Sequence, residues 1–483
     1  MTAQAEQCAT SSLVDGLDIN IPCLSLNATK YSTRLLNYPQ GELSWQWDEN
    51  LTPVTCADEI TDHCVQLDDS LNLDFPSLDI SGQDYSAKLN YSSDISQYAW
   101  HYHSHTEKNT NPQQSTAINS VLSADDVASL RQYMNTLITE KQIPGAVLAV
   151  AIGTDTVLLD AYGQTNISQG TKTTNDSLFH IGSTNKAITS ALIAILVDEG
   201  ILNWDRKIQD IYPQFTLSNP AYANQITIRQ LLDMTSGLPV DADEVFDVPA
   251  RAVLDGLGNV KLIGSPGGQY EYSNLSVSLA AYLAVLAKAK ADNGSIQQRD
   301  LDNVHADYEK LLREKLLQPL GMSNSYLYVD EARATGKMSK SYHLSNGQFV
   351  LSESVDEHDD NLAPSGGLKS TAQDMLRYMI MELQQGVSAD GQRIVSTANM
   401  QERQKLSIGA AKDNDYGLCL EIKNINQFKF IGHSGSYDDF NSTIGLFPDQ
   451  QLAFVLLVNG DSPSISDLTD GGIEAKITSL LAD

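Results

Sequence analysis

Ser183 is the only serine in the chain with a lysine three residues on, at Lys186. The apolar run after it, Ala187 to Val197, is long for a strand and rich in good helix formers. A helix opening near Ser183 puts the hydroxyl and the ammonium on one face, one turn apart. It also places the hydroxyl at the positive end of the helix dipole. These are the needs of a serine nucleophile: a base within reach and a field that favours developing negative charge. A serine that only caps a helix fits the same spacing, so Ser183 needs partners before it can be read as chemistry.

Hydrolysis requires groups that move the serine proton, protonate the leaving group and hold the oxyanion. Two short motifs can supply them. Tyr272-Ser273-Asn274 follows the turn Ser265-Pro266-Gly267-Gly268 and precedes an apolar helical run. A tyrosine beside a lysine ammonium is expected to have its pKa lowered and to exchange protons with Ser183. Tyr133-Met134-Asn135 and Tyr222-Ala223-Asn224 share the pattern. The first lies on a capped helix before any nucleophile, and the second lacks the Gly-rich approach. His433-Ser434-Gly435 ends an apolar strand, where Gly435 allows close approach and the Ser436 backbone N–H can pair with that of Ser183 as an oxyanion hole.

In this order, Ser183-x-x-Lys186, Tyr272-x-Asn274 and His433-Ser434-Gly435 resemble the three motifs of the serine β-lactamase and penicillin-binding-protein superfamily. The tyrosine variant is similar to the class C β-lactamases, DD-peptidases, D-aminopeptidases and family VIII carboxylesterases. Ile226 to Leu232 with Thr235 to Pro239, Gln318 to Met322, and Ser365 to Thr371 also look like this family. The resemblance covers about residues 120–483.

It implies a two-step acyl transfer without a cofactor on a small-molecule or short peptide substrate. Ser183 attacks an amide or ester carbonyl, and Lys186 and Tyr272 handle its proton. Asn274, His433, Ser434 and Gly435 bind substrate, and the N–H groups of Ser183 and Ser436 hold the oxyanion. His433 stands where class C β-lactamases carry lysine, and a neutral histidine binds a carboxylate less firmly than an ammonium. The expectation is therefore a D-amino-acid peptidase, of DD-peptidase or D-aminopeptidase type, or a small-ester hydrolase, with weak or no β-lactamase activity. The alternatives are a non-hydrolytic penicillin-binding sensor and a true class C-like β-lactamase. An acidic loop, Asp241 to Asp247, reads as solvated.

The elements that must position these groups follow from periodicity. Ser123-Ala124-Asp125-Asp126 resembles a capping box, and Val127, Leu130, Met134, Leu137 and Ile138 share one helical face. Ala146 to Ile152 and Thr156 to Tyr162 read as a hairpin. Helical stretches are expected over Ile226 to Met234, Ser276 to Ala291 and Tyr308 to Leu317. Strands are expected over Phe428 to Gly432, Ser442 to Phe447 and Leu452 to Val458, then a helix over Asp467 to Leu481. The fold class is α+β: an antiparallel sheet closed by both chain ends, flanked by N- and C-terminal helices, with an inserted helical subdomain.

Residues 1–105 read as a small all-β domain of two repeats, in which Leu13 through Leu35 aligns with Leu67 through Leu89 and Trp45/Trp47 with Tyr98/Trp100. A small sandwich or pair of packed sheets is expected there. Binding of cell-wall peptide or glycan is the partner expectation for it. Residues 106–119 are polar and aperiodic and read as a linker before the hydrolase domain, 120–483.

The 483-residue chain has 31 Lys+Arg against 61 Asp+Glu, a formal net charge of −30. That disfavours nucleic acid and anionic membrane surfaces as partners, and no apolar run reaches the length of a membrane span. Cys8, Cys23, Cys56 and Cys64 cluster early, in a pattern that points to disulfides and an oxidising compartment rather than zinc. Cys419 reads as a buried free thiol. With no basic or apolar segment at its start, the chain reads as a mature bacterial export, periplasmic or secreted, whose signal is gone. His101, His103 and His105 alternate as metal ligands on a strand do, without a fourth ligand. A glycosylation sequon falls on Asn274 itself, where a glycan would fill the site.

Overall fold

The computed structural model describes residues 122–240, 249–352, 362–407 and 416–482 with their side chains, and nine N-terminal strands as backbone. The side chain of Cys23, together with Cys8, Cys56, Cys64, the His101/His103/His105 series, the linker and the acidic loop, lies outside the described residues. The chain divides into two compact units, Met1–Ala117 and Ile118–Asp483.

The first unit carries β1 (Ser11–Leu13), β2 (Ile19–Leu26), β3 (Thr29–Tyr38), β4 (Ser44–Trp47), β5 (Thr52–Pro53), β6 (Val65–Leu67), β7 (Leu73–Ile80), β8 (Gln83–Ser92) and β9 (Gln97–Trp100). The pairing obeys the sequence repeat. Leu13 of β1 faces Ile19 of β2 just as Leu67 of β6 faces Leu73 of β7. The short first strand of each copy also pairs in parallel with the other copy, Ser11 with Leu78 and Val65 with Leu24. In place of two packed sheets there is one nine-stranded sheet, which the β2–β3 pairing joins into a ring. Exchange of the short strands gives both repeats one shared ladder and leaves fewer open edges.

The second unit is built on β10 (Gly145–Ile152), β11 (Asp155–Asn166), β12 (Thr171–Lys172), β17 (Glu421–Ile425), β18 (Phe428–Tyr437), β19 (Phe440–Phe447) and β20 (Leu452–Val458). Between them fall two small pairs, β13 (Phe179–His180) with β16 (Lys369–Ser370) and β14 (Tyr342–Ser345) with β15 (Gln348–Leu351). The large sheet is antiparallel in the order β12-β11-β10-β20-β19-β18-β17, so the two ends of the unit meet where β10 pairs β20.

Strand alternation explains why helices cover both faces. Val147, Ala149, Ala151, Val455 and Leu457 enter the larger core with the inserted helices. Ala146, Leu148, Val150, Phe454 and Leu456 enter a second core under the terminal helices, Ala124–Glu140 and Ile473–Leu481. The first of these has the predicted capping box: the Ser123 hydroxyl accepts from the Asp126 N–H, and the Asp126 carboxylate accepts from the Ser123 N–H.

Some bounds differ from the sequence reading. The Ile226 stretch is helical only over Ile228–Leu232, and the Tyr308 helix starts at Val304 and ends in a π-turn, Arg313–Leu317. The last helix is broken by a turn at Leu468–Gly472, where Gly471 takes a positive φ. The helix Ala372–Leu383, which packs on β10, β19 and β20, and strand β17 were not in the sequence reading.

Glu474 is 2% exposed on the last helix, and its Oε2 has no hydrogen-bond partner. Burial pushes its carboxyl up to about 7. A raised acid is compatible with the fold while protonated and costs stability as it ionises. Stability is therefore expected to fall as pH rises from about 4.5 through 7, by about 3 kcal/mol in all. Glu474→Gln should abolish that slope, raising Tm at pH 8 and leaving it unchanged at pH 4. A wild-type melt that is flat over this range would refute the assignment.

Candidate active site

The segment around Ser183 is not a simple helix start. Gly182–Thr184 forms a 3₁₀ turn and the α-helix runs over Asn185–Asp198. Gly182 has φ +52°, and a Cβ there would stand 2.8 Å from the Ser436 nitrogen. Across the contact, a Cβ on Gly435 would stand 2.9 Å from the Ser183 nitrogen and 2.5 Å from the Ile181 oxygen. Two glycines thus let strand β18 lie directly against the turn, backbone to backbone. Any side chain at either would force the two segments apart.

The Lys186 side chain is fully buried. Its Nζ donates to Ser183 Oγ at 2.9 Å, Asn274 Oδ1 at 2.6 Å and the Ser365 carbonyl at 2.9 Å. Three acceptors match the three protons of an ammonium. The turn Ala363–Gly366 that supplies the Ser365 carbonyl is stitched to the same helix. Asn185 Nδ2 donates to the Ala363 oxygen, and Thr189 Oγ1 to the Pro364 oxygen. Asn274 is placed by a cap: the Ser273 hydroxyl accepts from the Ser276 N–H and donates to the Pro239 carbonyl, so Asn274 opens the helix Asn274–Asn293.

The Tyr272 phenol lies near the Ser183 hydroxyl, and the Lys186 Nζ lies 4.8 Å from the centroid of its ring. The expected lowering of its pKa is not what the site produces. Burial pushes the phenol well up, and the nearby Ser183 hydroxyl only partly offsets this. The ammonium meets the ring face rather than the hydroxyl, so at neutral pH Tyr272 rests as a neutral phenol.

His433 is 3% exposed on β18. Its Nδ1 bonds the Ser434 carbonyl, which can only accept, so that nitrogen carries the proton. Its Nε2, 2.9 Å from Tyr416 Oη, then accepts from the phenol. Burial holds the imidazole below its ordinary value, and the nearby Lys186 charge adds to this against the pull of Glu421. Both ring nitrogens are therefore occupied inside the protein, and the ring is neutral. Burial opposes ionisation of the Glu421 carboxyl, but the Lys423 ammonium, 3.0 Å from its Oε2, and the Ser434 N–H favour the carboxylate and hold the group below the ordinary range. Glu421 is ionised.

β17 stops pairing with β18 at Glu421 and Gly432, so the edge from His433 to Tyr437 is open on that side. The Ser434 N–H points across this edge to Glu421. With the two-residue period of a strand, the Ser436 N–H points the same way, beside Ser183. A cleft of about 490 Å³ lies here, lined by Ser183, Tyr272, the His433 to Ser436 edge, and also Tyr270, Tyr416, Glu421, Lys423 and Asp470.

The structure thus brings Ser183, Lys186, Tyr272 and Asn274 into contact and sets His433, Ser434, Gly435 and Ser436 along one wall. It adds Ser365, Tyr416, Glu421 and Lys423, which the sequence reading did not single out as site residues. Only the Ser365 stretch gave any signal, as part of the resemblance. Cys419 is buried as expected and sits in a turn at φ 62°. Burial pushes its thiol up to about 12. Among the described residues no cluster of His, Cys, Asp and Glu has the geometry for a metal, and no helix is long and apolar enough to cross a membrane.

Residues 130–476 match the family model for Beta-lactamase. The chain belongs to the beta-lactamase family. It is 27% identical over 361 residues to "Penicillin-binding protein 4" of Amycolatopsis lactamdurans, covering 72% of this chain and 86% of that protein. It is 26% identical to "Unguisins hydrolase ungD'" of Aspergillus campestris (66% of this chain, 58% of that one). Protein flp of Staphylococcus aureus is 25% identical (68% and 62%), so the chain spans under two thirds of the latter two. Among solved structures, the octameric penicillin-binding protein homologue from Pyrococcus abyssi shares the fold, with a TM-score of 0.56, 22% identity, and coverage of 72% of this chain and 77% of that one. The chain is a serine hydrolase of this superfamily, and the matched region leaves out the N-terminal ring of strands.

Proposed function

We propose that the chain forms an acyl-enzyme on Ser183 and cleaves an amide or ester, the substrate being a D-amino-acid peptide or a small ester. The observation that carries this reading is the Lys186 ammonium shared among Ser183, Asn274 and Ser365, with the Tyr272 ring beside it. The hydroxyl accepts from Lys186 and so directs its own proton at the Tyr272 oxygen.

A buried neutral phenol is a poor standing base, but it relays well. As Ser183 attacks the carbonyl, its proton passes to Tyr272 while the Tyr272 proton passes to the departing nitrogen or oxygen. The phenol ends as it began and never has to ionise in the buried cleft. Deacylation runs in reverse: water gives a proton to Tyr272, which returns one to Ser183. The Ser183 and Ser436 N–H groups take the oxyanion, a contribution of about 100-fold or more per donor in such sites.

The test is intact-mass analysis during turnover of a short-chain nitrophenyl ester. A burst of product matched to enzyme, with the acyl mass on the peptide carrying Ser183, is expected, and none in Ser183→Ala. Acylation without turnover would favour the sensor alternative. Label on another residue would overturn the reading.

A further inference from the structure

The phenol that protonates the leaving group fixes the side on which that group lies. The Tyr272 ring faces His433 at 6.2 Å between centroids, and Tyr416 packs edge-on against both His433 and Tyr270. Atoms that continue from the departing nitrogen or oxygen therefore run along Tyr272, His433 and Tyr416 toward β17. Glu421 and Lys423 line this part of the cleft.

The ammonium that could welcome an anion on this flank is already engaged. Lys423 Nζ is 3.0 Å from Glu421 Oε2 and 5.0 Å from the centroid of the Phe430 ring. It also feels Glu474 and Asp470. His433 offers no N–H, because one nitrogen donates to Ser434 and the other accepts from Tyr416. The Ser434 N–H, on an open strand edge, already faces the Glu421 carboxylate. Asp470 stands exposed at the rim. The flank thus has its lysine paired, its histidine engaged from within, an aromatic wall, and an excess of negative charge.

We infer that the leaving-group side of the cleft rejects a carboxylate and accepts a neutral or cationic group, and that Glu421 is the residue that sets this preference. The inference rests on the acyl-transfer reading above and narrows it. Substrates whose departing amine carries a free carboxylate, as a C-terminal amino acid does, are disfavoured. Amides of small amines, N-terminal residues released from uncharged or cationic leaving groups, and alcohol esters are favoured.

Three acetyl esters test it: those of phenol, 4-hydroxybenzoate and 4-trimethylammoniophenol. Each kcat/KM is divided by the ester's own hydroxide rate to remove intrinsic reactivity. For the wild type the cationic ester should exceed the anionic one by about tenfold at low salt, the order expected of one charge at a partly wet surface, with the ratio shrinking as salt rises. Glu421→Gln keeps an acceptor for Ser434 while releasing Lys423, and should invert the ratio. Asp470→Asn, at an exposed position, should shift it about twofold in the same direction.

A wild-type ratio at or below one, or a ratio unmoved by Glu421→Gln, overturns the inference and leaves the acyl-transfer reading intact, provided phenyl acetate is still cleaved in a Ser183-dependent way. If none of the three esters acylates Ser183, the underlying reading fails and the inference falls with it.

Discussion

Lys186→Met is expected to lower kcat/KM by about 10³-fold with the fold retained. Methionine matches the length of the side chain but brings no proton, so Ser183 loses a donor that orients its lone pairs and Asn274 loses a contact that helps fix its amide. Loss of a positioned proton-handling group costs about 10²- to 10⁴-fold in comparable sites, and the misplaced Asn274 puts the effect within that range rather than at its lower end. Stability should move the other way or not at all. An ammonium in a fully buried position carries a desolvation cost of several kcal/mol, and its acceptors Ser183 Oγ, Asn274 Oδ1 and Ser365 O are dipoles. Orphaning the Ser365 carbonyl costs about 1–3 kcal/mol in return. The check is a pair of measurements on one preparation, steady-state rates and a thermal melt. An activity loss that follows a fall in Tm of more than a few degrees would mean that Lys186 supports the fold rather than the chemistry.

Legibility in the sequence followed the range of the interaction. Strand and helix patterns in β10, β20 and the Ser183 helix are local hydrophobic periods, and they were readable. So was the capping box at Ser123, which closes within four residues. The three motifs were readable because each is compact and their order resembles a family. What escaped depends on where the chain goes next. Strand β17 is short and polar on one side, Glu421-Ile422-Lys423-Asn424-Ile425, and its pairing with β18 is decided by a turn rather than by composition. Its Glu421 and Lys423 looked like ordinary surface charge. That both ring nitrogens of His433 are engaged within the protein could not be read either, because it depends on Tyr416 seventeen residues away. The raised pKa of Tyr272 escapes the sequence for the same reason: a charge partner is suggested by a motif, whereas desolvation belongs to the assembled core.

Arg403→Leu is expected to destabilise the second unit by about 3–5 kcal/mol, because it strands a buried carboxylate. Arg403 and Glu382 are both fully buried, with Arg403 Nη1 2.6 Å from Glu382 Oε1. Tyr378 donates to the same carboxylate, and burial together with that charge pushes its phenol far up, so it remains a donor. The rest of the guanidinium reaches the helix that follows Ser183: Nη2 to the Ala187 carbonyl at 2.8 Å and Nε to Ser190 Oγ at 3.1 Å. Ser190 in turn donates to the Leu418 carbonyl in the segment leading to β17. One cation thus ties together the helix Ala372–Leu383, the residue after Lys186 and the approach to Glu421. The double variant Arg403→Leu/Glu382→Leu removes both charges and should recover most of the lost stability, since an apolar replacement of a buried pair is often neutral. It does not restore the bond to the Ala187 carbonyl. If the guanidinium positions the helix as well as neutralising Glu382, the double variant should melt near the wild type yet keep a reduced kcat with little change in KM. Full recovery of kcat along with Tm would show that Arg403 serves the core alone.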